Sequence, residues 1–219
     1  MGQKPVNGWT MPVFFSLALL APLGFGTFRA IEIITVGDWR PVFVADHVDR
    51  LPLFLHVTGA GLFMLLAVLQ ILPGTRARHP RWHRKAGKFA FAFGLVGAVS
   101  GLWLTLAHPG ISGPILYWGR AIASAAWFIF LLLAVGAIKR RNFRAHGRWM
   151  IRAFALALPA GTLAFILFPM VLILGEDGHD LFFEIVQVLA WVGHLGVAEW
   201  LIRRRLPRAL PAPLKGAIA

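Results

Sequence analysis

Along most of the chain, apolar runs of ~20 residues or more alternate with short charged connections. Six runs are readable: about Met11 to Ile34, Pro52 to Leu72, Lys85 to Ala107, Pro114 to Ile138, Trp149 to Leu174 and Leu181 to Ile202. Each is long enough for a helix to cross ~30 Å of hydrocarbon at ~1.5 Å per residue. Inside lipid every backbone N–H and C=O must find its partner within the segment. The pattern therefore predicts six transmembrane helices and an all-α integral membrane protein.

The connections are of two chemical kinds. Those between the second and third and between the fourth and fifth runs are rich in Arg and Lys, as is the stretch holding Arg203, Arg204, Arg205 and Arg208. The others are mixed or acidic, with Asp38, Asp46 and Asp49 in one and Glu176, Asp177 and Asp180 in another. Lys and Arg concentrate on the cytoplasmic side of membrane proteins, which puts both termini inside. Residues 1–204 then form a single membrane domain, and 205–219, rich in proline, a loose cytoplasmic tail. Residues 1–10 hold one lysine, and no small-residue cleavage site follows the first run, so that run is expected to stay as a helix.

The two basic connections share a design. RARHPRWHRKAGKFAFAFG (Arg76 to Gly94) and KRRNFRAHGRWMIRAFALALPAG (Lys139 to Gly161) both lead through cations and aromatics to a histidine, His83 or His146. More cations follow (Arg84 and Lys85; Arg148 and Arg152), then an apolar run. This reads as a parallel pseudo-repeat of two hairpins, spans two and three and spans four and five. They predict a central four-helix bundle with spans three and five on one diagonal.

Composition agrees with the membrane reading: 58% of the 219 residues are hydrophobic, only 14% are charged, and the mean hydropathy is +0.70. The formal charge of +13 suggests polyanions at first sight. Its cations, however, sit in short clusters between apolar spans, the distribution of topology signals and anionic-lipid contacts rather than of a nucleic-acid surface. With no cysteine, disulfides, thiolate metal sites and cysteine nucleophiles are excluded. No Walker loop, Rossmann glycine pattern or HExxH motif occurs. The connections are too short to build a site for catalysis on soluble substrates.

Helical periodicity sorts the faces. On span three His83, Gly87, Ala90, Gly94, Gly101 and His108 share a line; on span five His146, Ala153, Ala157, Ala160 and Ala164 do. These small-residue stripes serve either close helix packing or a flat cofactor lying between the two spans. His83 and His146 either meet lipid headgroups or face each other as axial haem ligands. In the second case Arg84, Arg148 and Arg152 are placed to pair with propionates. His56 lies near the outer surface and His194 well inside from the cytoplasmic end, so those two do not share one iron. His83 with His146 is the pair at matched depth. Span six carries a polar stripe of Glu184, Gln187, Trp191 and His194, a candidate proton path or quinone-head site. Glu199 lies beside Arg203 and Arg204, the expected partners of a local ion pair.

The series LHVTGAGLFMLLAVLQILP, RHPRWHRKAG, FRAHGRWMIRAFAL and WVGHLGVAEWLIRR resembles a bacterial membrane protein family known as domain of unknown function 2306, over roughly residues 50–205. The family's His-Arg-x-x-Gly motif matches His83, Arg84 and Gly87. Its His-x-x-Trp-Met-x-Arg motif matches His146, Trp149, Met150 and Arg152; His56, Gln70 and Glu199 match further family positions. That resemblance implies topology and site residues rather than chemistry. In layout the chain is also similar to cytochrome b561-type proteins, which implies electron transfer through haem b.

The expectation is therefore a haem-b-binding electron-transfer protein of the cytoplasmic membrane, with His83 and His146 as iron ligands. His56, His194, Arg84, Arg148 and Arg152 complete the candidate cofactor-binding set. Two alternatives stand beside it: a non-catalytic accessory subunit of a respiratory or photosynthetic membrane complex, and a small transporter or lipid-binding protein. Expected partners are anionic headgroups on the cytoplasmic side and other membrane proteins, not nucleic acid.

Overall fold

The structure, a computed structural model, describes residues 48–72, 74–159, 161–163, 165, 166, 169 and 180–205, with helical positions at 20, 23, 24, 26–28, 30 and 31. Among these residues every regular element is helical: α1 (Arg50–Ile71), the single turn α2 (Thr75–Arg78), α3 (Pro80–Ala107), α4 (Pro114–Lys139), α5 (Phe143–Ala157) and α6 (Asp180–Arg205). Four of them, α1, α3, α4 and α6, are long and apolar enough to cross a membrane. They correspond to the second, third, fourth and sixth apolar runs. Most of the first run and the second half of the fifth lie outside the described residues.

Helix ends follow local chemistry. Pro80 and Pro114 occupy the first turns of α3 and α4, where a missing N–H costs nothing. The α4–α5 corner closes with two bonds, Asn142 N–H to Ala137 O at 2.8 Å and Arg141 N–H to Ile138 O at 2.8 Å. This is the paired pattern of a Schellman stop, and it holds Arg141 at φ 56°, in the left-handed region. Asn142 then caps α5, its Oδ1 accepting from Ala145 N–H at 2.9 Å. One tight corner thus ends a helix and starts the next.

Packing follows chain order: α1 lies along α3, α3 along α4 and α4 along α5, while α5 touches α1. Neither α3 with α5 nor α1 with α4 is a closely packed pair, and α6 packs on α4 and α5. The core is small-to-large: Phe63, Met64, Ala67, Ala90, Ala98, Trp127, Leu131, Ala153 and Leu158 are buried together. Glycine sets the α1–α3 spacing. A Cβ on Gly59 would lie 2.8 Å from Gly97 N and 2.9 Å from Phe93 O, so the two backbones touch there.

The outward faces are apolar. Phe89, Val99 and Trp103 on α3, Trp118, Ile122 and Ile129 on α4, and Leu189 and Val192 on α6 are all more than half exposed or at half exposure. Exposed apolar surface recurring on several helices would be a large patch on a soluble protein; here it is the face that lipid covers.

Candidate functional site

Polar chemistry gathers at the two ends of the helices. At one end the basic stretches lie side by side. The Arg76 guanidinium sits over the Phe143 ring, 5.6 Å from its centroid. His83, in the first turn of α3, lies within electrostatic range of both Arg76 and His146. The two histidines of the repeated stretches therefore lie toward the same end of the helices.

Their hydrogen bonds fix part of their chemistry. His146 Nδ1 lies 3.0 Å from Ala134 O on α4. A carbonyl only accepts, so Nδ1 carries the proton and Nε2 keeps its lone pair for a ligand. His83 Nδ1 is buried without a hydrogen-bond partner, as is Gln70 Nε2 at the end of α1. Buried polar atoms left in this way ask for an explanation. One turn beyond His83, a Cβ on Gly87 would touch nothing within 4 Å. Deeper on the same stripe the space is filled: Gly94 accommodates Phe63 and Leu131, and Gly101 accommodates the His56 ring. Among the glycines of this stripe, open room is thus found at Gly87, one turn from His83.

Arg84 is exposed and lines a surface groove with Arg81, Trp82, Lys85 and Lys88. Arg148 is half-buried beside His146 in sequence. Arg152 is held by Glu199 on α6, Nε to Oε1 at 2.5 Å and Nη2 to Oε2 at 3.0 Å, and its guanidinium stacks 4.6 Å over Trp149. A propionate at Arg152 would have to compete with that carboxylate. The sequence suggested Arg203 and Arg204 as the partners of Glu199. The partner that forms the hydrogen bonds comes instead from α5, and Arg204 stacks on Trp200.

At the opposite end a second polar layer crosses the helices. His56 Nδ1 donates to Gly97 O at 2.8 Å, which leaves His56 Nε2 as the free ring nitrogen. Close by, on α4, are Ser124 and Arg120. Arg120 Nη2 donates to Gln187 Oε1 at 3.5 Å. Glu184 is buried, lies against the backbone of Gly113, and accepts from Leu116 N–H at 3.4 Å. A carboxylate from α6 thereby occupies the positive end of α4. His108 pairs with Asp49 at 3.5 Å and does not join His56.

His194 belongs to neither layer. Its Nδ1 donates to Ala190 O at 2.7 Å, so its Nε2 accepts from Thr162 Oγ1 at 3.0 Å. Both ring nitrogens are occupied, which leaves no lone pair for a metal. No group of three or more His, Asp or Glu that could hold a metal ion occurs among the described residues.

Arg120 is the site residue that sequence reasoning missed. The signal was present: it is the lone charge in an otherwise uncharged run from Pro114 to Ile138, and such a residue rarely sits in a span without a role.

A family model described as "Predicted membrane protein (DUF2306)" matches residues 53–202. The chain belongs to this family. As a DUF2306 protein with four candidate spans, it is a multi-pass membrane protein. Both layers of the site, from His56 to Glu199, fall inside the DUF2306 match. No curated protein and no solved structure matches the chain.

Proposed function

We propose that this DUF2306 protein binds haem b between His83 and His146 and transfers electrons in the cytoplasmic membrane. The observation that carries this reading is the buried, unpartnered Nδ1 of His83, at the end of the helices where His146 lies within electrostatic range. It is supported by the free Nε2 of His146 and by the open space at Gly87. Bound haem would supply a reversible one-electron couple. The chain's own His83 and His146 would hold it, and Arg84 and Arg148 would meet its carboxylates.

The finer topology belongs to the same proposal: six spans, two duplicated hairpins around a four-helix core, and both termini in the cytoplasm. The contact between Arg76 and Phe143 supports it, because it brings both basic connections to one end. There the groove of Arg81, Trp82, Arg84, Lys85 and Lys88 meets anionic headgroups of the inner leaflet.

The test is a haem assay on protein purified from membranes supplied with haem precursor. About one haem b per chain supports the proposal; protein without haem rejects it.

A further inference from the structure

A cation inside a membrane span is costly unless it is paired or used. Arg120 presents five N–H donors, and its hydrogen bond to Gln187, at 3.5 Å, lies at the outer limit for such a contact. Glu184 is close enough to offset its charge but already caps α4. Arg120 together with Glu184 therefore carries no net charge while offering spare donors. Such a site suits an uncharged acceptor better than an anion. His56 adds a ring nitrogen, since its Nδ1 is engaged by Gly97 O, and Ser124 adds a hydroxyl beside the His56 ring.

Depth narrows the ligand further. His56, Arg120 and Gln187 lie at similar positions from the starts of α1, α4 and α6, about 10 Å in along each axis. Trp118 and Ile122, two positions either side of Arg120, are strongly exposed on the opposite face of α4, which turns Arg120 toward the neighbouring helices. At that depth in the span, a molecule reaching these donors would come from the bilayer and carry its acceptors on an apolar body.

We infer that His56, Arg120, Ser124 and Gln187 form a binding site for the carbonyl head of a lipid-soluble quinone. The site lies at the far end of the helices from His83 and His146, roughly 25 Å along α3. It binds whether or not haem is present. Phospholipid ester groups carry the same carbonyl chemistry and are the competing source.

The experiment is a tryptophan-fluorescence titration of the purified full chain with decylubiquinone and with menadione, repeated with short-chain phosphatidylglycerol as competitor. The expected result is saturable quenching by at least one quinone, weakened at least tenfold in both Arg120→Gln and Gln187→Leu and little affected by equimolar phosphatidylglycerol. Non-saturating quenching, equal quenching in wild type and Gln187→Leu, or displacement by equimolar phosphatidylglycerol would each overturn the inference. If Arg120→Gln does not fold, Gln187→Leu decides, because both hydrogen bonds of that side chain, from Arg120 at 3.5 Å and to Phe183 O at 3.4 Å, are long. The readout needs no haem, so a colourless protein that binds quinone separates this inference from the haem proposal.

Discussion

Arg152 and Glu199 form a two-point ion pair between α5 and α6, with both carboxylate oxygens engaged by one guanidinium. A planar fork on a carboxylate is the geometry in which arginine is not replaceable by lysine. The pair fastens α6 to α5, and its side chains are partly exposed.

Breaking it leaves one charge without its partner. Glu199→Gln and Arg152→Gln are each expected to cost about 1–2 kcal/mol. The charge-swapped double variant Arg152→Glu with Glu199→Arg should recover part of that loss. Thermal melts in mild detergent measure all three, and adding the double variant Arg152→Gln with Glu199→Gln closes a double-mutant cycle that isolates the pair from the loss of stacking on Trp149.

The α1–α3 contact predicts a contrast between two glycines. Gly59→Ala drives a methyl group into the backbone of Gly97 and Phe93, which cannot swing aside as a side chain could. A loss of about 1–3 kcal/mol is expected. Gly87→Ala meets nothing and should melt within about 0.5 kcal/mol of wild type.

These cases show what was legible beforehand. α1, α3, α4 and α6 could be read from the chain because a span writes itself in a long uncharged run. α3 nevertheless begins at Pro80, before the expected Lys85, because a helix continues through the basic surface zone where an apolar run has already ended. The small-residue stripe on α3 was legible as a stripe, but not its use. Phe63 and Leu131 at Gly94, and His56 at Gly101, come from other helices. Likewise Glu199 has cations near it in sequence, and its hydrogen-bonded partner lies on α5. Periodicity assigns a residue to a face; it does not say what stands opposite.

Arg141 carries a conformation that glycine adopts at no steric cost. Arg141→Gly relieves the left-handed strain at the end of α4 while keeping the backbone bonds of the stop. A gain of about 0.5–1 kcal/mol is expected. An unchanged or lower melting temperature would mean that the Arg141 side chain contributes more than its backbone conformation costs.

The open space at Gly87 separates a cofactor slot from mere loose packing. Gly87→Leu fills room that no side chain now occupies. The variant should remain folded, with a melting temperature near that of wild type, and lose most of its haem. Full haem retention in a folded Gly87→Leu would place any cofactor elsewhere.

The most direct measurement is the reduced-minus-oxidised absorption spectrum of the purified protein, taken for wild type, His83→Ala, His146→Ala and His194→Ala. A Soret band with α and β bands is expected in wild type and in His194→Ala, whose imidazole is occupied by Ala190 and Thr162, and should be absent from the other two variants. Bands that survive loss of both His83 and His146, or a wild-type protein with no bands at all, would contradict the account.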